Sequence, residues 1–471
     1  MNLSHTAFQN IPPSQNESVR AILLQLLAED LDFHDQASDY ASHDFHAFPA
    51  KFPPQLPLKF IKALTVPGDV VLDPMLGSGT TLVEAYLTDR RSIGLDIDPL
   101  ALQIACVKTT PLDPERIAYF SNHILISAVR KVASDQAELA EVLARRWDDN
   151  TRDFVGYWFA LETQVELLAL IQEIEQVDDP LYRAFFGLAL SAIIITKSGG
   201  VSMAFDLAHT RPHRAKIVIG RNGEIVLGDS LVGSPSRRIQ LLTKTLRSPL
   251  KEFERRVQRN CESIESLIPG RFAPDIHAGD AQTMPLEDES IDLIVTSPPY
   301  ASNAIDYMRA HKFSLVWLGR DIAELGDRRR GYIGGESTTD VRFEPLPPRT
   351  AAVVEALGHL DPKKGLVLHR YYSEMTRVLR EIFRVLKPGK AALVVVGNSV
   401  MRGRDTETQQ CLAEIGQVLG FDVPAIGLRH LDRDRRMLPA AQVAAMDSQI
   451  EQRMLVEYII GFYKPHPAER S

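Results

Sequence analysis

Apolar positions follow two rhythms along this chain, with a long helical stretch between them. The run Val70-Val71-Leu72 is continuous rather than alternating, the pattern of a strand covered on both faces, and predicts a strand over about 69–73. A helix is expected over 80–89 and a second strand over 92–97, a strand–loop–helix–strand unit that implies a parallel sheet. After Pro111 the period changes. Residues 115–205 carry apolar side chains at spacings of three and four, as in Val165, Leu168, Ile171 and Ile174, until Gly199-Gly200 breaks the pattern. Lys216–Ile219 and Glu224–Leu227 flank Arg221-Asn222-Gly223 and predict a small hairpin. Residues 236–268 read as a basic amphipathic helix interrupted near Pro249. The strand–helix rhythm then resumes, with strands expected over 275–279, 291–296, 391–396, 421–426 and 454–463, and a helix over 371–385 that stops at Lys387-Pro388-Gly389. Near the start, Ser14 and Glu17 have capping-box spacing ahead of the apolar run from Ile22, which predicts a short helix, and the His-, Phe- and Pro-rich segment 43–57 reads as a loop.

The simplest architecture is α/β: a Rossmann-like, doubly wound, mostly parallel sheet with a largely helical insertion of about 150 residues. The boundaries are an N-terminal helical lead over 1–40, a first half of the sheet domain over 41–114, the insertion over 115–270 and a second half over 271–471.

Composition narrows the function classes. With 471 residues, 45% apolar and 24% charged, the chain resembles an ordinary soluble protein with room for two or three cores. Its longest apolar run, Phe185–Ile195, is too short to span a bilayer, and Met1–Ser18 lacks the apolar core of a secretory signal, so no membrane role is expected. Cys106, Cys261 and Cys411 are scattered, with neither metal-ligand spacing nor a disulfide framework, which fits a reducing cytoplasm and no metal. The net charge of −8 excludes a generally basic nucleic-acid binder, but residues 211–259 hold twelve Arg or Lys against four Asp or Glu. Such a local basic face suits phosphate contacts, and Arg211, Arg214, Arg255, Arg256 and Arg259 are its candidates for DNA binding. Arg328-Arg329-Arg330 and the run Arg429 to Arg436 are further candidates.

Two loops carry chemistry. The first, Asp73-Pro-Met-Leu-Gly-Ser-Gly-Thr-Thr81, follows the first strand. Gly77 and Gly79 let a ligand approach the backbone closely, but the loop has no Lys, unlike a nucleotide-triphosphate loop, and lacks the third glycine of the dinucleotide fingerprint. Asp73, at the strand end, would repel a phosphate and suits a cationic ligand. Asp96 ends the second strand at about the offset from which an acid binds ribose hydroxyls, and Asp280 ends the third. Asp98, before Pro99, reads as a helix cap. The second loop, Ser297-Pro298-Pro299-Tyr300, follows the buried run Leu293-Ile294-Val295-Thr296.

Together these loops resemble the amino-methyltransferases of DNA, specifically over about 43–112 and 275–320 and more loosely over 371–464. The resemblance implies a class I S-adenosylmethionine methyltransferase fold, with Phe48, Asp73, Gly77, Gly79, Thr80, Asp96 and Asp280 binding S-adenosylmethionine. Phe48 belongs to His46–Pro53, which resembles the family's element that packs on the methionine end of the cofactor; Met75 stands where many members carry Phe. Ser297, Pro298, Pro299 and Tyr300 would be catalytic. An exocyclic amine is a poor nucleophile because its lone pair is delocalised, and the Ser297 hydroxyl with the Pro298 carbonyl would accept its two hydrogens, the prolines fixing the geometry. Tyr300 would stack on a base flipped from the duplex, its hydroxyl dispensable, with Asp306 and Tyr307 lining the target pocket.

Family members acting on cytosine N4 usually place Ser or Thr first in the tetrapeptide, so Ser297 points to a site-specific DNA cytosine-N4 methyltransferase. The implied partner is double-stranded DNA, with a cognate restriction endonuclease in a restriction–modification system, and the implied location a prokaryotic cytoplasm, at the nucleoid. An adenine-N6 or RNA amino-methyltransferase shares this pattern, and a nucleic-acid-binding module without catalysis is the reading from another class.

Overall fold

The computed structural model describes residues 18–48, 51–196, 200–206, 212–265, 267, 270–301, 307–397, 399–431 and 456–469. Its centre is a seven-stranded sheet. In chain order the strands are β1 (Val70–Asp73), β2 (Arg91–Asp96), β3 (Asp275–Ala278), β4 (Ile291–Thr296), β5 (Leu386–Gly397), β6 (Ile426–His430) and β7 (Val456–Tyr463). Their spatial order is β6-β7-β5-β4-β1-β2-β3, and β7 alone runs antiparallel to its neighbours. This is the doubly wound, Rossmann-like sheet the hydrophobic pattern predicts. β4 is buried throughout, and Val71 and Leu72 of β1 are fully buried, because helices cover both faces. Chain order reverses between β1 and β4, which opens a crevice at the carboxyl ends of those strands.

One face of the sheet is covered by α1 (Val19–Ala28) and α2 (Gln55–Leu64), whose Leu23, Leu27, Phe60 and Ile61 pack with Val71, Leu293, Leu393 and Ile459. A long helix, Pro362–Val385, covers the other face, where Tyr371, Tyr372 and Met375 share a core with Leu72, Ile294 and Val394. α3 (Thr80–Leu87) and α4 (Pro99–Lys108) follow β1 and β2. Five helices, α5 (Pro114–Ser134), α6 (Gln136–Arg146), α7 (Asp149–Trp158), α8 (Leu161–Glu175) and α9 (Pro180–Ile194), join α10 (Pro249–Glu265) in a third core. That core also takes in Leu100 and Ile104 of α4 and Phe313 and Trp317 from α11 (Tyr307–Leu315) and its extension, so the helical layer is built against the sheet's own helices. No single helix among the described residues is long and apolar enough to cross a membrane.

Three local expectations change. The expected strand over 421–426 forms later, at Ile426–His430: Phe421 is buried in the core, and only Asp422 makes an isolated bridge, to Tyr463. The expected basic helix over 236–268 divides into a short helical turn at Arg237–Leu241, a strand at Thr243–Thr245 beside the hairpin, and α10, which Pro249 starts rather than interrupts. A proline is tolerated there because a first-turn N–H has no helical partner. Residues Ser14–Glu17 lie outside the described residues; Ser18 caps α1, its side chain accepting from the Ala21 amide. Gly199, Arg211, 302–306 and 432–455 also lie outside them, and with them Asp306 and the rest of the arginine run after Arg429.

Candidate active site

The acids that end β1 and β2 and the residues following β3 and β4 converge on one cleft, open at its mouth. Asp73, Met75, Gly77, Ser78 and Thr80 line it from the first loop, Asp96 and Asp98 from the second strand, and Gly279 and Asp280 from the third. Ser297 and Pro299 line it after β4, while Phe48, Lys51 and Phe52 close one side and Gly331-Tyr332-Ile333 another.

The loop after β1 is held from several directions. Its Leu76 amide donates to the Leu95 carbonyl, and the Gly77 amide donates to Asp96 Oδ2 at 2.9 Å. Lys108 Nζ, fully buried, donates to the Ser78 carbonyl from below. Gly77 and Gly79 both have positive φ, 46° and 71°, where glycine carries no steric cost. A Cβ at Gly77 would stand 3.2 Å from the Phe48 ring, and one at Gly79 would stand 2.9 Å from Ala105 Cβ of α4. The two glycines thus serve different neighbours: Gly77 the wall of the cleft, Gly79 the packing of loop on helix. The sequence suggests a close approach of Gly79 to the ligand; in the structure its tight contact is with α4.

Asp73 Oδ1 accepts from Thr296 Oγ1 at 2.7 Å and from the Met75 amide at 3.2 Å. Burial pushes its carboxyl up to about 6, against the pull of those hydrogen bonds. Asp96 accepts from the Gly77 and Asp98 amides; burial, reinforced by the charge of Asp98, pushes it up to about 7. Asp98 caps α4 through the Leu100 amide, as its sequence context predicts. It also receives two groups that the sequence did not announce, Tyr332 Oη at 2.8 Å and His311 Nδ1, hydrogen-bonded at 2.6 Å. Burial opposes its ionisation, yet His311 and Tyr332 hold its carboxyl below the ordinary range. His311 and Tyr307, one turn apart on α11, both pack on Phe48, Tyr307 stacked with ring centroids 5.2 Å apart.

Beneath α3, Tyr40 Oη and His43 Nε2 both reach Glu84 Oε1 at 2.7 Å, and burial pushes Glu84 up to about 8. Lys51 Nζ donates to the His43 carbonyl. The segment read as a His-, Phe- and Pro-rich loop is therefore anchored on its buried side and aromatic on the side facing the cleft.

Tyr300 does not present its ring as expected. It is buried against Gly397, and its hydroxyl donates to Glu457 Oε1 at 2.9 Å. Glu457 is paired in turn with Arg429. The hydroxyl is thus engaged in a buried hydrogen bond, and Arg429, read as available to DNA, faces inward with a buried carboxylate for partner.

The basic residues are dispersed. Arg214 lies over the Tyr157 ring at 4.0 Å. Arg255 pairs with Glu252, while Arg256 donates to the Asp44 carbonyl and Arg259 pairs with the Asp44 carboxylate at 2.8 Å. These four arginines do not line the cleft, and Arg256 and Arg259 fasten α10 to the segment that carries Phe48.

Comparison with known proteins agrees with this arrangement. A family model described as DNA methylase matches residues 10–106. The type II methyltransferase M.MvaI of Kocuria varians is 22% identical over 409 residues, covering 82% of this chain and 83% of its own. M.BsoBI of Geobacillus stearothermophilus is 21% identical over 404 residues, covering 75% and 73%. The chain is similar to the DNA amino-methyltransferases. The rRNA methyltransferase aviRa of Streptomyces viridochromogenes is similar over 92% of this chain and 94% of its own, at 13% identity and a TM-score of 0.25; the order of the seven strands, rather than that likeness, identifies the class I fold.

The cofactor of these enzymes is S-adenosylmethionine, and the cleft suits it. Burial raises Asp73 and Asp96, and a ligand carrying a sulfonium and an ammonium would offset that burial. Phe48, Tyr307 and Lys51 line the cleft, the two rings stacked on one another.

Proposed function

We propose that this chain transfers a methyl group from S-adenosylmethionine to the N4 amine of cytosine in double-stranded DNA, at a specific sequence. The observation that supports this most is that Ser297 lines the same cleft as Asp73 and Asp96, so one of the two amine acceptors shares a space with the cofactor acids. The cofactor supplies an electrophilic methyl. Asp96 accepts from its ribose hydroxyls, Asp280 from its adenine amine, Asp73 faces its cationic end, and Gly77, Gly79 and Thr80 shape the loop beside it. Phe48 covers it. The Ser297 hydroxyl and Pro298 carbonyl accept hydrogen bonds from the flipped amine, turning its lone pair toward the methyl group. As the N–CH3 bond forms the S–CH3 bond breaks, S-adenosylhomocysteine leaves as the neutral thioether, and the surplus amine proton passes to solvent. Pro299 fixes the turn, and Tyr300, its ring buried and its hydroxyl held by Glu457, anchors the loop. We assign target recognition to the insertion over 115–270, and service in the cytoplasm at the nucleoid beside a restriction endonuclease that reads the same sequence. The product decides the base. Nucleoside mass spectrometry of DNA incubated with enzyme and cofactor should show N4-methyldeoxycytidine, and N6-methyldeoxyadenosine in its place would overturn the cytosine assignment.

The raised acids give this reading a pH signature. Below pH 7 the ligand-free protein holds Asp96 protonated, so a ligand that needs the carboxylate must expel that proton. Cofactor affinity should therefore fall as pH falls, by roughly tenfold from pH 8 to pH 6, and the dependence should flatten in Asp96→Asn. Calorimetric titration across that range checks it; an affinity that does not move with pH removes Asp96 from the cofactor's contacts.

A further inference from the structure

We propose that Tyr332 is the wall on which the nucleoside end of S-adenosylmethionine lies, and that Arg370, paired with Glu374 on the long helix Pro362–Val385, is its positioning residue. The inference rests on the cofactor assignment above and not on which base is methylated. Gly331-Tyr332-Ile333 lines the cleft as turn and loop backbone. Such backbone has no ladder, so its polar groups must find partners elsewhere. Arg370 supplies them. Its Nη2 donates to the Arg330 and Tyr332 carbonyls, both at 3.2 Å, and its Nη1 to the Ser337 carbonyl. Its Nε donates to Glu374 Oε1 at 2.8 Å, and the other Glu374 oxygen accepts from the Gly334 amide at 2.8 Å. Both side chains are buried, 6% and 7% exposed. The guanidinium lies so close under the turn that a Cβ at Gly335 would stand 2.9 Å from it.

A buried ion pair is costly unless its remaining donors and acceptors are satisfied, and here one short segment of cleft wall satisfies them. The Tyr332 side chain is fixed separately. Its hydroxyl donates to Asp98 Oδ2 at 2.8 Å, the oxygen that His311 Nδ1 also reaches. The Asp98 amide donates to Asp96 Oδ1 at 2.9 Å, so the tyrosine is tied to the acid proposed to hold the ribose. Tyr332 packs on the core of the helical layer, while Ile333 is buried with Leu72 and Ile294 in the core of the sheet. The segment is pinned by its carbonyls, by one hydroxyl and by both cores. A purine with its ribose presents a flat, largely apolar surface. A tyrosine already held at both ends meets that surface with little freedom left to lose on binding.

The test measures calorimetric affinity of the full chain for S-adenosylmethionine and, separately, for S-adenosylhomocysteine, with a denaturant midpoint for every variant. Tyr332→Ala should weaken both ligands by about tenfold, and equally, because they share the nucleoside. Tyr332→Phe keeps the ring, loses the bond to Asp98 and should weaken both by about threefold. Arg370→Lys keeps a charge beside Glu374 but has one nitrogen for three carbonyls. It should weaken both ligands by about fivefold in the wild-type background and add little to Tyr332→Ala, because Arg370 acts through Tyr332. If Arg370→Lys does not fold, Glu374→Gln, which keeps an oxygen for the Gly334 amide, runs the same cycle. Equal losses in both backgrounds would overturn the positioning role, leaving the pair structural. Unchanged affinity in a folded Tyr332→Ala protein would overturn the wall, and a fall in methylation rate alone would give that ring to the target base. A loss confined to S-adenosylmethionine would overturn the nucleoside assignment in favour of the sulfonium end. A wild type that binds neither ligand would overturn the cofactor assignment as well.

Discussion

Gly79→Val is expected to abolish S-adenosylmethionine binding and to cost about 2–5 kcal/mol of folding stability. Two independent causes add. The first is local: Gly79 sits at φ 71°, ψ 20°, where a β-branched residue is strained by about 1–3 kcal/mol. The second is tertiary: a Cβ would lie 2.9 Å from Ala105 Cβ and 3.0 Å from Ala105 Cα. The second of those atoms is backbone of α4 and cannot swing aside, so loop or helix must move. The loop cannot move cheaply, since the Gly79 amide donates to Leu76, the Leu76 amide to Leu95 and the Gly77 amide to Asp96. A shift there displaces the carboxylate proposed to hold the ribose. Gly77→Ala makes a useful contrast. Its Cβ would meet the tip of Phe48 at 3.2 Å, and a side chain can give way, so stability should fall less while affinity still suffers. Denaturant unfolding with calorimetric titration separates the two, and wild-type cofactor affinity in a folded Gly79→Val protein would dismiss the loop from the binding site.

The loop was legible in advance because it obeys local rules. A strand buried on both faces must be a continuous apolar run, and an acid ending such a run is conspicuous, as Asp73 and Asp96 are. β6 hid for a related reason. Its residues Ile426-Gly-Leu-Arg-His430 look unlike a strand, since glycine is poor in strand interiors. Here α1 crosses so close that a Cβ at Gly427 would lie 3.1 Å from the Leu27 carbonyl oxygen, and one at Gly461 2.4 Å from the Leu27 side chain. Packing selected glycine against propensity, while the apolar Phe421 ahead of it is buried without continuing the strand. Contacts made across the chain were harder still. His311 and Tyr332 reach Asp98 from more than two hundred residues away, with no periodicity to mark them. The excess of positive charge over 211–259 could be counted, but not its direction: Arg256 and Arg259 turn to Asp44.

Ser297→Ala should lower the rate of methyl transfer by on the order of a hundredfold and leave cofactor affinity unchanged. The exocyclic amine reacts only when its lone pair leaves the ring's π system, and acceptors on both hydrogens favour that geometry. Alanine removes one acceptor and keeps the Pro298 carbonyl, so the rate should fall by the worth of one preorganised acceptor rather than of the whole site. The neighbouring hydroxyl cannot take over: Thr296 is fully buried and donates to Asp73 Oδ1 at 2.7 Å. Tyr300 is no substitute either, because its hydroxyl is held by Glu457. Ser297→Thr keeps an oxygen at the same place and should keep most of the rate, which distinguishes a missing acceptor from a disturbed turn. Single-turnover methylation with cofactor bound reads the step directly. If Ser297→Ala transfers methyl as fast as the wild type, the acceptor lies elsewhere. If it instead loses cofactor binding, Ser297 belongs to the cofactor's wall and not to the amine.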